Sequence, residues 1–468
     1  MNIDEIEGRR LWLLAGHIKK LSYCNSLVTM LYNKNSSLDR LDTCFYHQNL
    51  DGSLNHKIID STSIGIIPGT LSDNFNFCYG DPSDPKVAWR NPHEREVIEI
   101  FGRLLGIEDI SGYMTSCGSE SNLASIWWSK LYLLMKSRPK ISELKERLAL
   151  LESNDLGSKD YKEIYETKKQ LKRLYSPIVI CTKTPHTHVS VIKACQALEL
   201  KTLFIESNED GSIDTQSLRG RLAEMKEHDY MNFIVSLNLG LQIGAAFDDV
   251  QEVRKVIEEV KNENWRYTVH GDAAMYGPTL PFLQQLGDKS NKIIECGLDT
   301  IAISLWKFLG VQVPCGVALS TRNFTDLAFE DDNFIEYVQM QDKVALSGTR
   351  SGIAAASALN VMKSLKMHEG FETLQKVIEY DMGLADYLCQ QLELFFPKEQ
   401  IKRKYLNVTF PRASLPDYFI DYYLLQRVGP THLQSIVLLN VNKNLIDEFI
   451  EAMEYHLPLL SRETIEQQ

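Results

Sequence analysis

From Ile178 the chain alternates between short apolar runs and longer amphipathic ones. Ile178-Val179-Ile180-Cys181 precedes a helical pattern near 189–198. Leu203-Phe204-Ile205 precedes a helix opened by Asp214, and Phe233-Ile234-Val235 precedes a helix at about 248–260. Tyr267-Thr268-Val269-His270 and Ile301-Ala302-Ile303-Ser304 continue the series. Short apolar strands separated by helices predict a mainly parallel sheet covered on both faces. Further upstream, Val97, Ile98, Phe101, Leu104 and Leu105 lie on one face of a helix. Asn91 can cap it, Pro92 suits its first turn, Glu94 can return a capping-box bond, and Gly106 ends it.

The pattern divides the chain into an N-terminal segment, 1–75, a large α/β domain, 76–354, and a small C-terminal α+β domain, 355–468. Leu11 to Leu14 with Ile18 suggest an amphipathic helix in the first, and Tyr79 to Pro85 is a turn-rich loop. Residues 136–176 are rich in Lys, Glu and Leu, with a break at Gly157 to Asp160, and read as a charged helical hairpin inserted in the large domain. In the small domain, Val408-Thr409-Phe410 and Ser435 to Leu439 read as strands, and Leu445 to Met453 as a closing helix.

Composition narrows the partners. Lys and Arg number 50 against 62 Asp and Glu, a net charge of −12, which disfavours nucleic acid or an anionic membrane as the main partner. No apolar run reaches the length of a membrane helix, and Met1 to Glu5 lacks the basic start of a secretory signal. Nine cysteines without a CxxC pair fit reduced thiols better than disulfides or structural zinc. The expectation is a cytoplasmic enzyme.

In an open α/β sheet, ligands collect at the carboxyl ends of the strands, and four motifs fall at such places. Thr115 to Asn122 is a small-residue stretch leading into an apolar helix, either a phosphate site at its N-terminus or a plain serine-rich cap. His186-Thr187-His188 offers metal spacing without a third ligand, or a ring that can stack on a flat cofactor. Asp272, after an apolar strand, is costly to bury without a partner; a protonated ring nitrogen would serve, and so would a helix cap. Lys307 stands among apolar neighbours, as a Schiff-base lysine does, although an isolated lysine of this kind usually snorkels to water. Phosphate cup, stacking ring, acid and lysine together are what pyridoxal phosphate needs.

At these motifs the chain resembles the group II pyridoxal-phosphate-dependent amino-acid decarboxylases, above all the bacterial histidine and plant serine decarboxylases. The likeness runs from Gly80-Asp81-Pro82 through Gly112 to Glu120, His188 to Val191, His270 to Ala274 and Ser304 to Gly310, then Pro314-Cys315-Gly316 and Ser347 to Gly352. It implies an aspartate-aminotransferase-like fold (fold type I), a homodimer with sites at the interface, an amino acid as substrate and pyridoxal 5'-phosphate as cofactor. It also implies roles. Lys307 carries the cofactor, His188 stacks on it, and Asp272 binds the pyridine nitrogen above Ala274. Ser116, Gly118, Ser119, Ser304 and Asn238 complete the cofactor contacts, with Thr349 from the neighbouring chain. Tyr337 is the candidate proton donor by position. The chain departs from the family at Trp306, where the family has His, at Leu241 and Gln242, where it has two Thr, and at Ile353, where it has His. Gly429-Pro430-Thr431-His432 also departs, and residues 136–176 have no counterpart. Retained chemistry implies decarboxylation of a histidine- or serine-like amino acid. A decayed scaffold that only binds partners, or a pyridoxal-phosphate enzyme of another reaction type, stays open at this point.

Overall fold

The computed structural model describes residues 92–153, 158–228, 231–283, 297–330, 344–347 and 350–458, together with two short paired strands, β1 (His47–Gln48) and β2 (Leu54–Asn55). The expected elements at Leu11 to Ile18 and Tyr79 to Pro85, and the capping residue Asn91, lie outside these residues. The first described helix, α1 (Pro92–Leu105), buries Val97, Ile98, Phe101, Leu104 and Leu105 and stops at Gly106, whose φ is 69°.

The central sheet follows from the apolar runs and from two strands that the pattern did not reveal. They are β3 (Ile110–Thr115) and β9 (Gly316–Thr321). Between them in sequence come β4 (Ile178–Thr182), β5 (Lys201–Ile205), β6 (Met231–Asn238), β7 (Trp265–Asp272) and β8 (Thr300–Ser304). Their order across the sheet is β3-β9-β8-β7-β6-β4-β5. Only β9 of the seven runs against the others, pairing antiparallel with both β3 and β8. Glycine is needed where β9 starts: a Cβ on Gly316 would lie 2.6 Å from the Ile303 carbonyl and 2.7 Å from Ser121 Oγ. The centre of the sheet is buried on both faces, as the apolar content of β6 shows.

Three helices matter for the site. The helix α2 (Gly118–Ser153) starts just after β3. It runs on through Lys136 and Pro139, so the hairpin expected from 136 begins as the continuation of the site helix. The chain then folds back in α3 (Ser158–Tyr175), which clamps Ile141 and Leu144 against Leu171 and Leu174. The short α4 (Val189–Ala197) follows β4, capped by His188, which accepts from Ser190 N–H. On the outer face, α5 (Thr215–Glu224) and α6 (Val250–Val260) are capped by Asp214 and Asp249.

The large domain continues with α7 (Arg322–Ala328) and α8 (Gly352–Ser364). Ala354, Ala358, Leu359 and Met362 of α8 pack into the main core. The core changes inside the next helix, α9 (Glu372–Leu392), between Ile378 and Leu384, rather than at 355. A composition boundary cannot see this, because one amphipathic helix serves both cores. The small domain carries β10 (Lys402–Lys404), β11 (Asn407–Pro411), β12 (Gln426–Val428) and β13 (His432–Ile436), ordered β10-β11-β13-β12, all antiparallel. Two helices, α10 (Asp417–Tyr422) and α11 (Lys443–Glu454), complete it. The strand expected at Ser435 to Leu439 ends at Ile436; Leu438 and Leu439 leave the ladder and line a cavity instead.

Candidate active site

The carboxyl ends of β3, β4, β6, β7 and β8 meet beside the N-terminus of α2, and each contributes a residue. Asp272 closes β7 and is buried. Its Oδ2 accepts from Asn122 Nδ2 at 2.9 Å, and its Oδ1 accepts from the Ala274 N–H at 3.1 Å. Thr182 at the end of β4 leads through a short loop to His188. Burial lowers the pKa of the His188 imidazole, with the Asp272 carboxylate acting the other way and the Lys307 charge adding to the fall.

Lys307 follows β8 in a turn in which Leu305 and Phe308 are buried and hold the backbone. Burial lowers the pKa of its amine, opposed by Asp272. The Nζ donates to Gln242 Oε1 at 3.4 Å. Lys307, Asp272 and His188 therefore stand close enough to feel each other's charge. Next to Lys307, Trp306 is 49% exposed.

Around the start of α2, Gly118 is pressed against β8 and the turn after β7. A Cβ there would lie 3.2 Å from Ser304 Cβ and 3.3 Å from Ala274 Cβ. Among the described residues, Ser304 Oγ is buried without a hydrogen-bond partner. Ser116 and Ser119 are exposed. The Ser116 N–H donates to Glu120 Oε2 at 2.8 Å, and Glu120 also accepts from Ser347 Oγ at 2.6 Å and Tyr113 OH at 3.2 Å. Burial pushes the Glu120 carboxyl up, but these hydrogen bonds hold it below the usual range. A buried pair, Glu94 with Arg350 at 2.9 Å, braces the same region, and Glu94 also accepts from the Met114 N–H at 2.8 Å. Removing one partner of such a pair typically costs about 3–5 kcal/mol.

Of the expected site residues, Lys307, Asp272, His188, Ala274, Ser116, Gly118, Ser119 and Ser304 share this one region. Asn238 stands at the end of β6, but its amide nitrogen works on the protein itself. It donates to the His186 carbonyl at 2.6 Å and to Thr182 Oγ1 at 3.3 Å, and so holds the loop that carries His188. Tyr337 and Thr349 lie outside the described residues. His186 makes its own contact with Ser207 Oγ at 2.6 Å, away from any metal arrangement. Among the described residues, no group of three or more His, Cys, Asp or Glu side chains could hold a metal ion. Asn122, Ser190, His270 and Gln242 also converge here, although the motifs that contain them did not mark them. Their adjacency to the marked residues was the available signal.

A cavity of 1130 Å³ opens from Lys307 and Gln242 toward the small domain. Gln242 is latched from that side: its carbonyl accepts from Asn407 Nδ2 at 2.8 Å and from Gln434 Nε2 at 2.7 Å. Gln434 also accepts from the Gly244 N–H at 2.7 Å.

These residues fit pyridoxal phosphate. An unpartnered buried hydroxyl and a glycine-lined helix start suit a phosphate group. A half-buried lysine with lowered basicity suits the bond to the aldehyde, and a buried carboxylate suits a protonated ring nitrogen. Fold and site together define an α/β enzyme of the pyridoxal-phosphate class.

Comparison with known proteins agrees. A family model described as the pyridoxal-dependent decarboxylase conserved domain matches residues 156–410. The chain is similar to the histidine decarboxylase of Vibrio anguillarum, 25% identical over 325 residues, 69% of each chain. It is also similar to the histidine decarboxylase of Morganella morganii, 26% identical over 228 residues, 49% of this chain and 57% of that one. In fold it resembles L-methionine decarboxylase from Streptomyces sp. 590, with a TM-score of 0.62 and 16% identity over 93% of this chain and 94% of that one. A sphingosine-1-phosphate lyase of Burkholderia pseudomallei shares the fold at a TM-score of 0.54 and 15% identity, over 80% of this chain and 76% of that one. The chain belongs to the pyridoxal-dependent decarboxylase family, with pyridoxal 5'-phosphate as cofactor and decarboxylation of an amino acid as its reaction.

Proposed function

We propose that the chain decarboxylates an L-amino acid of the histidine or serine type, as a homodimer, with Lys307, Asp272 and His188 as the central residues. The observation that carries this reading is the grouping of those three side chains at the carboxyl end of the sheet, within reach of each other's charge, with Lys307 opening onto the cavity. When bound, pyridoxal phosphate supplies an aldehyde for the substrate amine and a ring that accepts the electron pair left as carbon dioxide departs.

The protein's part is to hold and to move protons. Partial burial lowers the Lys307 pKa and so favours the uncharged, nucleophilic form of its amine. Asp272 keeps a proton on the ring nitrogen it faces. His188, bonded through Nδ1 to Ser190, presents a fixed ring face. Ser304, Gly118, Ser116 and Ser119 receive the phosphate, with Thr349 of the second chain. Tyr337 returns a proton to the substrate carbon.

The cavity walls support the substrate class. Polar groups on the described wall include Gln242, Gln426, Gln434, Asn440 and Glu448, among apolar residues such as Met275, Leu438 and Leu439. These suit an imidazole or a hydroxyl. Among the described wall residues, Lys307 is the only cation, so an acidic side chain would face Glu448 without a free positive partner.

Screening the common L-amino acids for carbon dioxide and amine tests the proposal. Release from histidine or serine with glutamate inert is the expected result. A loaded enzyme that consumes amino acid without releasing carbon dioxide would refute decarboxylation of these substrates.

A further inference from the structure

Behind Asp272 lies a side-chain network whose hub and far end the proposed mechanism does not use. Its hub is Asn122, fully buried in the first turns of α2. The Nδ2 lies 2.9 Å from Asp272 Oδ2 and 2.7 Å from Ser190 Oγ, and Oδ1 lies 2.9 Å from His270 Nε2. Chemistry assigns the orientation. A carboxylate only accepts, so the amide atom facing Asp272 is the nitrogen. Its two hydrogens go to Asp272 and Ser190, and its oxygen is left for His270. His270 must therefore carry its proton on Nε2.

Ser190, having accepted from Asn122, has one hydrogen to give. It lies 2.7 Å from His188 Nδ1, and the Ser190 backbone N–H points at the same nitrogen from 3.2 Å. His188 Nδ1 is thus an acceptor, and the proton of the neutral ring sits on Nε2. On the far side, Thr300 Oγ1 lies 3.0 Å from His270 Nδ1 and closes the network. Burial lowers both imidazoles, His270 to about 4, so both are neutral at pH 7 and their tautomers are defined.

We infer that Asn122 is a positioning residue: by donating to Asp272 and Ser190 and accepting from His270, it fixes the Asp272 carboxylate and locks His188 and His270 in their Nε2–H tautomers. The inference rests on the reading that Asp272 and His188 hold the cofactor ring. Few side chains could replace it. Aspartate has no donor, serine has one, and leucine has neither donor nor acceptor.

The test uses the full-length chain with isotope-labelled histidine, with cofactor and after its removal. Imidazole nitrogen resonances of the cofactor-free wild type should report a single Nε2–H tautomer for His188 and for His270. Asn122→Asp keeps the acceptor for His270 but loses both donors. It should free the His188 tautomer and lower kcat about a hundredfold while KM changes less than about threefold. The double variant Asn122→Asp, Asp272→Asn restores one hydrogen bond between the two positions with donor and acceptor exchanged. It should regain the thermal stability lost in Asn122→Asp, while turnover stays low because the Asp272 carboxylate itself is gone. A His188 Nδ1–H tautomer in the wild type, or unchanged tautomers and kcat in Asn122→Asp, would overturn the inference. The tautomer readout needs no substrate, so it stands or falls apart from the substrate screen.

Discussion

The two walls of the site differ in how their polar atoms are spent. On the wall formed by β4, β7 and α2, Asp272, Asn122, Ser190, His188 and His270 bond to one another, and the network is closed within one chain. On the wall beyond β8, among the described residues, Lys307 has one long hydrogen bond, Ser304 Oγ has no partner, and Trp306 is half-exposed. Both walls carry motifs that resemble the decarboxylase family, His188 and Asp272 on the closed one and Lys307 on the open one. The open wall also holds Trp306 and Gln242, where the chain departs from the family. The difference has a physical basis. Holding charge and tautomer fixed requires every donor and acceptor to be satisfied before the cofactor arrives. Binding a phosphate and choosing a substrate require groups left free.

The largest expected effect is on the open wall. Lys307→Ala should remove the visible absorbance of the bound cofactor and at least about a thousandfold of turnover. A variant that keeps its visible band after dialysis would take Lys307 out of the comparison. On the closed wall, His270 should register in stability rather than in rate. Its folded pKa is depressed to about 4 from an ordinary 6.5, chiefly by burial. The unfolded chain therefore takes up this proton first as pH falls. The contribution is complete above pH 6.5 and is lost progressively toward pH 4, by about 3 kcal/mol in all. Relative to wild type, His270→Gln should lose less stability over that window, measured by denaturant unfolding. Parallel curves would break the claim that this wall is dry and neutral.

Asp272→Asn should still bind cofactor but turn over about a hundredfold more slowly, because an amide gives the ring nitrogen less support. An unchanged kcat would remove the functional reason for the closed network. Trp306→His should have the smallest effect and points the other way. A histidine can offer phosphate a charge-assisted bond worth about 1.5–3 kcal/mol, where indole offers one neutral donor. Cofactor dissociation, measured at one pH, should tighten about tenfold or more. Equal or weaker binding would mean that the open wall has been rebuilt around the indole.

The regular parts of the fold were legible because they repeat. Buried strands such as β6 and β7 show as apolar runs, and the cap Asp214 as local chemistry. Lys307, Asp272 and His188 stood out as candidates because each falls in a motif at or shortly after the end of an apolar strand. Strands β3 and β9 were not. Their small and polar residues, Ser111, Gly112, Gly316 and Ser320, are buried by neighbours that the local pattern cannot name.

By itself the sequence determined the strand-helix alternation, and it marked the candidate cofactor residues and the positions where the resemblance to the family breaks off. All of these are local, written within a few residues by periodicity or by the identity of one side chain. Only the tertiary structure decided that Asn122 faces both Asp272 and His270, across 150 and 148 residues of chain. It likewise decided that α9 bridges two cores and that Gln434 and Asn407 reach back to latch Gln242. Hydrogen bonds and burial depend on distance in space, and strands from far apart in the chain meet at one end of the sheet only after folding.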